Sequence, residues 1–438
     1  MDTTSSAKGW AFCAIRLLCL YWLLSYSSPA EQLDRFPVLS RGNPWDVGLD
    51  FRELNKGYTE IQKAITEKAA PGAVVLIAKD GKIIRRRSFG YAQLYGRPKG
   101  TAASIEDFSK KKIRIRTSTI FDLASLTKMI ATTTCILILK EEGRIDLDAP
   151  ACRYWPEFGE AGKGAVTIRH LLTHTSGLSS HSAFYEMAQS KEQMLRMICE
   201  QELDVPPGYQ RVYSDIGFIV LGETVEKVSG TRLDRFAKER IFEPVGMKDT
   251  CFRPGRKART RCAATEYSGM LGKFMIGEVH DENAYALGGI AGHAGLFSTV
   301  DDLAVFCQML LNGGAYGDAR ILRTETIEDM LAPQIPTEVI ERGSAFLQGR
   351  GQLLGWWSMG PAVEVTALGG LPSERAYGHT GFTGTSIWID PEHKVIAILL
   401  TNAIHPKRDT CNRERIRRAF YSSIWSAMNV GEPERKGE

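Results

Sequence analysis

Apolar and polar positions divide the chain into strand-bearing ends and a helical middle. Residues 73–79 (AVVLIAK) and 82–92 (KIIRRRSFGYA) are β-rich runs joined by Asp80-Gly81, and Asp-Gly between two such runs is a strong hairpin signal. Residues 51–68, just before them, carry a helical pattern that follows a stretch rich in turn formers. A strand-like run at 118–123 leads to Ser125, and a helix is expected from there through Glu142, closed by Gly143. From 144 to 313 the pattern is one of helices and loops, with short helices at 167–174, 216–228 and 232–241. The glycine-rich GGIAGHAG of 288–295 then precedes an amphipathic helix over 300–311. Strands return at 384–390 and 394–401 around the turn Pro391-Glu392-His393, and a basic amphipathic helix over 413–428 closes the chain.

Strands at both ends with helices between them predict one antiparallel sheet assembled from the terminal segments. The helices of 144–313 form a separate, all-helical lobe, which makes an α/β (α+β) sandwich with a groove between the two parts. There is no internal repeat and no low-complexity tract.

Composition changes this picture little. The chain has 438 residues, 43% hydrophobic and 24% charged, enough to bury a sizeable core. Lys and Arg exceed Asp and Glu by four (55 against 51), and the excess is spread along the chain, which argues against a nucleic-acid partner. Two short basic runs, Arg85-Arg86-Arg87 and Lys110-Lys111-Lys112, read as solvated strand and loop positions.

The amino terminus reads as a targeting segment. Lys8 and Arg16 precede or flank the apolar LLCLYWLL of 17–24, and Ser28-Pro29-Ala30 offers small residues for cleavage. Residues 1–30 are therefore expected to be a signal peptide, with an uncleaved anchor, and membrane association through it, as the alternative. An extension and first helix occupy 31–70, and a single domain spans 71–430. Of the nine cysteines, two lie in the leader. The other seven show no CxxC spacing and cannot all pair internally. Cys135 and Cys307 read as buried thiols, and a Cys251–Cys262 bridge across a loop is an open expectation.

Three short motifs carry candidate chemistry. Ser125-Leu126-Thr127-Lys128 places S-x-x-K at a strand-to-helix junction. A serine at a helix start sits in the positive end of the macrodipole, and backbone N–H groups there can hold an oxyanion. Lys128 lies one turn on, on the same face, and burial is expected to lower its pKa so that it serves as base. The same spacing at Ser5/Lys8 and Ser109/Lys112 has no such junction. Tyr213-Ser214-Asp215 stands just before a helix, where a tyrosine depressed in pKa beside a lysine would shuttle a proton, or where Ser214 or Asp215 is merely an N-cap. His379-Thr380-Gly381 stands before a strand, where glycine allows close backbone approach and the Phe382 N–H offers a second oxyanion donor.

Taken together and in this order, the motifs resemble the serine β-lactamase and penicillin-binding protein family, whose signature is S-x-x-K, Y-x-N or S-x-N, and K-T-G. TIRHLLTHTSGL (167–178), PPGYQRVYSDIGFIVLGETVEKVSG (206–230) and FEPVGMKDT (242–250) look like its class C and esterase branch. VHDENAYALGGIAGHAGLFST (279–299) looks like the penicillin-binding protein 4B type. The resemblance covers about 72–403. It implies a β-lactamase/transpeptidase-like fold, Ser125 as nucleophile, Lys128 as its base, Tyr213 as proton shuttle, and the Ser125 and Phe382 N–H groups as oxyanion donors. It also implies substrate contacts at Asp215, His379, Thr380, Gly381 and Phe382. The chain departs from the pattern at Asp215, which stands in place of Asn and cannot donate when ionised, and at His379, which stands in place of Lys.

The reading that follows is a periplasmic or cell-envelope serine hydrolase of bacterial type, monomeric and without a cofactor. Its expected substrate is a D-alanyl cell-wall peptide or a small ester, with β-lactam hydrolysis or non-catalytic peptide binding as alternatives. A zinc site at His170, His174, His280, Asp281 and His293 was weighed against it. HLLTH lacks the glutamate of HExxH, so these histidines read as structural, and no metal is called for.

Overall fold

A computed structural model describes residues 35–100, 104–343, 350–359, 373–409 and 411–429. The leader at 1–30 lies outside the described residues. The chain divides into a short unit, Met1–Phe36, and a body, Pro37–Glu438.

The body is built on a nine-stranded sheet. Its strands are β1 (Ser40–Arg41), β2 (Gly72–Lys79), β3 (Lys82–Pro98), β4 (Phe108–Arg114), β5 (Arg350–Gln352), β6 (Trp357–Met359), β7 (Tyr377–Thr380), β8 (Ser386–Asp390) and β9 (Val395–Thr401). Their order is β1-β3-β2-β9-β8-β7-β6-β5, with β4 pairing β3. The terminal segments meet at the β2–β9 pair, antiparallel from Val395 opposite Lys79 to Thr401 opposite Ala73. Every pairing is antiparallel except that of the short edge strand β1, which runs parallel to β3.

Both faces of the central strands are covered, which is why β2 and β9 read as unbroken apolar runs. Val74, Leu76 and Ala78 point into one core with Ile396, Ile398 and Leu400. Ala73, Val75 and Ile77 point into the other with Val395, Ala397 and Leu399. The second core is closed by α1 (Phe51–Thr66) and the last helix, α5 (Arg413–Asn429). The two helices touch closely, since a Cβ on Gly57 would lie 2.2 Å from Ser423 Oγ. The first core is closed by α2 (Thr134–Glu141), α3 (Asp215–Ser229) and α4 (Val300–Leu311). Among the described residues, no helix is long and apolar enough to cross a membrane.

The helical lobe is not all helix. Phe121–Asp122, Leu296–Ser298 and Cys251–Phe252 form a three-stranded sheet, and Ala264–Ser268 pairs with Lys273–Ile276 in a hairpin. Strands of two to five residues are too short to show an alternation of period two. The basic run at 110–112 is likewise strand rather than loop: it belongs to β4, exposed, with Lys110 and Lys112 lying over the Tyr95 and Tyr91 rings. Cys135 and Cys307 are buried thiols, as expected, whereas Cys251 and Cys262 are unpaired.

Candidate active site

The segment carrying Ser125 grows out of an interrupted strand. Asp122 pairs with Phe297, and the Leu123 N–H extends the ladder to the Leu296 carbonyl at 2.9 Å. The chain leaves the strand through Ala124, whose φ of +48° is left-handed. That conformation costs a residue with a Cβ roughly 1–2 kcal/mol. Ser125 follows in a single 3-10 turn, Ala124–Leu126, and the helix opens as a wide π turn, Lys128–Thr133, before becoming α2. Strained residues and π turns concentrate at functional sites. Leu126 and Met129 are fully buried, each contributing about 1.5–3 kcal/mol of apolar burial, which outweighs the strain at Ala124.

Lys128 reaches back one turn. Its fully buried ammonium lies 3.0 Å from Ser125 Oγ, 3.1 Å from the His293 carbonyl and 2.7 Å from Asp215 Oδ1. The expected fall in its pKa does not occur. Burial pushes the ammonium down, but the Asp215 carboxylate and Tyr213 outweigh it, and the net shift is upward. Tyr213 also departs from expectation: burial raises its hydroxyl, and the Lys128 charge offsets this only in part. That hydroxyl makes no hydrogen bond of ordinary geometry, although Lys128 and Ser125 lie close enough to act on it.

Local structure explains how Tyr213 and Asp215 arrive there. Ser214 is the N-cap of α3, accepting the Gly217 N–H at 3.1 Å, so the cap reading and the functional reading hold together. The Ser214 N–H in turn binds His174 Nδ1 at 3.0 Å, and the His174 ring lies 4.5 Å from that of Tyr213. Burial, with the Lys128 and Arg211 charges, holds His174 well below the usual imidazole range. His170 accepts the Thr167 N–H at 3.3 Å, His280 meets Glu266 at 2.8 Å, and His293 meets Asp281 at 2.7 Å. The histidines weighed as a zinc site thus each serve a protein contact.

The glycine-rich stretch has a mechanical role that the sequence motif alone did not disclose. A Cβ on Gly292 would sit 1.9 Å from the Phe218 carbonyl. Glycine therefore lets this loop press onto α3, bringing the Gly292 carbonyl to Thr132 Oγ1 at 2.7 Å and the His293 carbonyl to Lys128.

The segment at 379–382 divides. His379 is 1% exposed, its ring 3.7 Å from Trp357 and 5.8 Å from Tyr213, with Nδ1 2.7 Å from the Thr380 carbonyl. A Cβ on Gly381 would lie 2.5 Å from the Leu123 carbonyl. This glycine thus lets the chain cross close over the segment that leads into Ser125. Of the four, His379 and Gly381 are buried, Thr380 is half-buried, and Phe382 lines the cleft, 43% exposed and stacked on His280. The cleft, with a volume of about 310 Å³, holds Ser125, Tyr213, Asp215, Asp281, His293 and Phe382 on its walls. The Asp281–His293 pair was missed as part of this site. Its signal was the HD and GHAG at either end of 280–295.

A serine hydroxyl, a buried ammonium and a carboxylate thus lie in one line of contacts at the cleft, and comparison with known proteins gives the family. A family model described as Beta-lactamase matches residues 59–421. The chain belongs to the β-lactamase family. Within this family of serine hydrolases on the β-lactamase and penicillin-binding protein fold, it is 33% identical over 413 residues to a "Putative D-alanyl-D-alanine carboxypeptidase" of Escherichia coli K12, covering 88% of this chain and 90% of that one. A Salmonella typhi protein of the same description is 33% identical over 436 residues, covering 93% and 95%. Solved structures share the fold. EstCE1, "a hydrolase with promiscuous acyltransferase activity", superposes with a TM-score of 0.65 at 22% identity, covering 84% of this chain and 99% of that one. A penicillin-binding protein homologue from Caulobacter crescentus gives 0.63 at 18%, covering 86% and 99%.

Proposed function

We propose that this β-lactamase-family hydrolase forms an acyl-enzyme at Ser125 and acts on neutral esters in preference to substrates bearing a free carboxylate. The observation that carries the reading is the Ser125–Lys128–Asp215 chain, its lysine fully buried, with links of 3.0 and 2.7 Å. Ser125 Oγ attacks the carbonyl carbon as its proton passes to Lys128 Nζ, while Lys128 releases one of its own to Asp215. No proton needs to come from or go to bulk water in that step. The carbonyl oxygen becomes an oxyanion held by the Ser125 and Phe382 N–H groups. Tyr213, kept protonated by burial, is suited to donate to the departing alkoxide. Lys128 then reprotonates Tyr213, taking back the proton held by Asp215, and water releases the acyl group from Ser125.

Substrate preference is argued from charge. Among the described residues, the cations at the cleft already have carboxylate partners. Lys128 is held by Asp215, and Arg408 by Glu266 and Glu282. His379 is buried, so among the described residues of the cleft no unpaired Lys or Arg faces a substrate carboxylate. The description of the 33%-identical relatives favours a second reading, a carboxypeptidase acting on D-alanyl-D-alanine ends.

Intact-mass analysis separates the two. The protein is incubated with an aryl ester, a D-Ala-D-Ala peptide and a penicillin. The expected result is the largest adduct, or the fastest turnover, with the ester, on a peptide containing Ser125. Faster acylation by the D-alanyl peptide would make the second reading the correct one.

A further inference from the structure

We propose that Asp122 is a positioning residue for Ser125, locking the nucleophile's backbone to two walls of the cleft. The inference rests on Ser125 being the nucleophile. Asp122 is 2% exposed. Its Oδ1 accepts the Ala124 N–H at 2.9 Å, and its Oδ2 accepts the His280 N–H at 2.7 Å. Its backbone carbonyl accepts from Thr383 Oγ1 at 2.8 Å. Three segments therefore meet on one residue: the turn into Ser125, the loop that continues into Asp281 and Glu282, and the loop that carries Phe382.

Each contact acts on the geometry of catalysis. Ala124 holds its left-handed φ immediately before Ser125, and the bond from its N–H to Asp122 opposes relaxation of that peptide. Relaxation would turn the Ser125 N–H away from the oxyanion position that it shares with the Phe382 N–H. The Thr383 bond, reinforced by Thr385 Oγ1 on the Leu123 carbonyl at 3.1 Å, fixes the distance between those two donors. A carboxylate suits this place because two N–H donors approach two separate oxygens. An amide presents one acceptor and turns an NH₂ toward the other donor.

Asp122 has no Lys or Arg ion pair among the described residues. Burial raises its pKa, and the His280 and Ala124 N–H groups offset that only in part. A buried carboxylate compensated only by backbone donors is costly to fold, and a positional role for Ser125 offsets that cost.

The test is the rate at which a fluorophosphonate labels Ser125, measured well below the melting temperature and paired with kcat and KM on a short ester. Displacing the nucleophile by a fraction of an ångström is expected to slow labelling about 10-fold in Asp122→Asn, which keeps one acceptor, and about 10²-fold in Asp122→Ala. The loss should fall on kcat, with KM little changed. Asp302→Ala is the control. Asp302 is also buried and accepts a backbone N–H, from Asp249 at 2.7 Å, and a hydroxyl, from Thr250 at 2.8 Å, away from Ser125. It should label within about 2-fold of wild type, as a change remote from the reacting atoms does. Circular dichroism establishes that each variant is folded. Should Asp122→Ala not fold, the Asn variant decides alone. Wild-type labelling rates in folded Asp122 variants overturn the proposal, as does equal slowing in Asp302→Ala. If the wild type itself is not labelled at Ser125, the nucleophile reading has failed instead.

Discussion

Lys128 and Lys163 are both fully enclosed, and their environments push them in opposite directions. Lys163 donates only to backbone carbonyls, those of Cys199 at 2.7 Å and Gln201 at 2.5 Å, near the Phe158 ring. Desolvation there lowers its pKa, as general physics expects of a buried amine. It is covered by a thinner layer of protein than Lys128, so its surroundings are the milder of the two. Lys128 lies deeper and yet is raised, because Asp215 stands 2.7 Å away. Burial alone does not make a lysine a base. The partner decides, and at Lys128 the partner is a carboxylate, the group that takes the amine's proton in the proposed mechanism.

The strongest way to break this comparison is to remove each amine. Lys128→Ala should slow Ser125 acylation by at least about 10²-fold, the range for loss of a general base, while the protein stays folded. Lys163→Met should leave acylation unchanged, since its ammonium meets the Cys199 and Gln201 carbonyls and the Phe158 ring, none of which lines the cleft. Rates measured by fluorophosphonate labelling and ester turnover check both. Near-normal acylation in Lys128→Ala would remove Lys128 from the proton path.

A smaller effect is expected at Asp215. If Asp215 takes the proton as proposed, the neutral amine forms inside the wild-type site, and acylation should depend weakly on pH around neutrality. Asp215→Asn removes the proton acceptor and the main upward push on Lys128. Neutral amine then arises only by release to solvent. The rate in the variant should climb about tenfold per pH unit below the lysine's pKa, which itself should fall by about 1–3 units as the opposing carboxylate is lost. Stopped-flow acylation from pH 6 to 10 gives the profile. Superimposable wild-type and variant curves would show that Asp215 relays nothing.

What was legible in the sequence follows the range of the interactions. The β2–β3 hairpin was visible because Asp80-Gly81 is local turn chemistry. The bounds of α4 were visible because its apolar face repeats over three turns, and the structure adds Thr299 as its cap. Ser125 and Lys128 were visible because one helical turn separates them. Asp215's attachment to Lys128 was not, because it depends on how α3 packs against the nucleophile helix. Nor was the burial of His379, which requires Trp357 on β6 to lie over it. The hairpin at 264–276 escaped because its short strands, ATEYS and KFMI, carry too few alternations to register.

The smallest expected effect is on stability at alkaline pH, and it tests the comparison at its root. A folded-state pKa below the unfolded value means that the unfolded chain binds the extra proton between the two values. Lys163, lowered on folding, therefore adds stability as pH rises toward its ordinary value near 10.5. Lys128, raised on folding, holds its contribution up to that value and loses it only above, as the folded group deprotonates. As pH rises toward about 10.5 the Lys163 contribution should thus rise while that of Lys128 stays level. Urea denaturation at half-unit steps reads this directly. Lys163→Met should show a flatter stability curve than wild type over that window, whereas removing the ammonium from the Lys128 site should leave the slope there unchanged. If Lys163→Met and wild type run parallel through it, Lys163 titrates like an ordinary surface lysine, and the contrast between the two buried amines disappears.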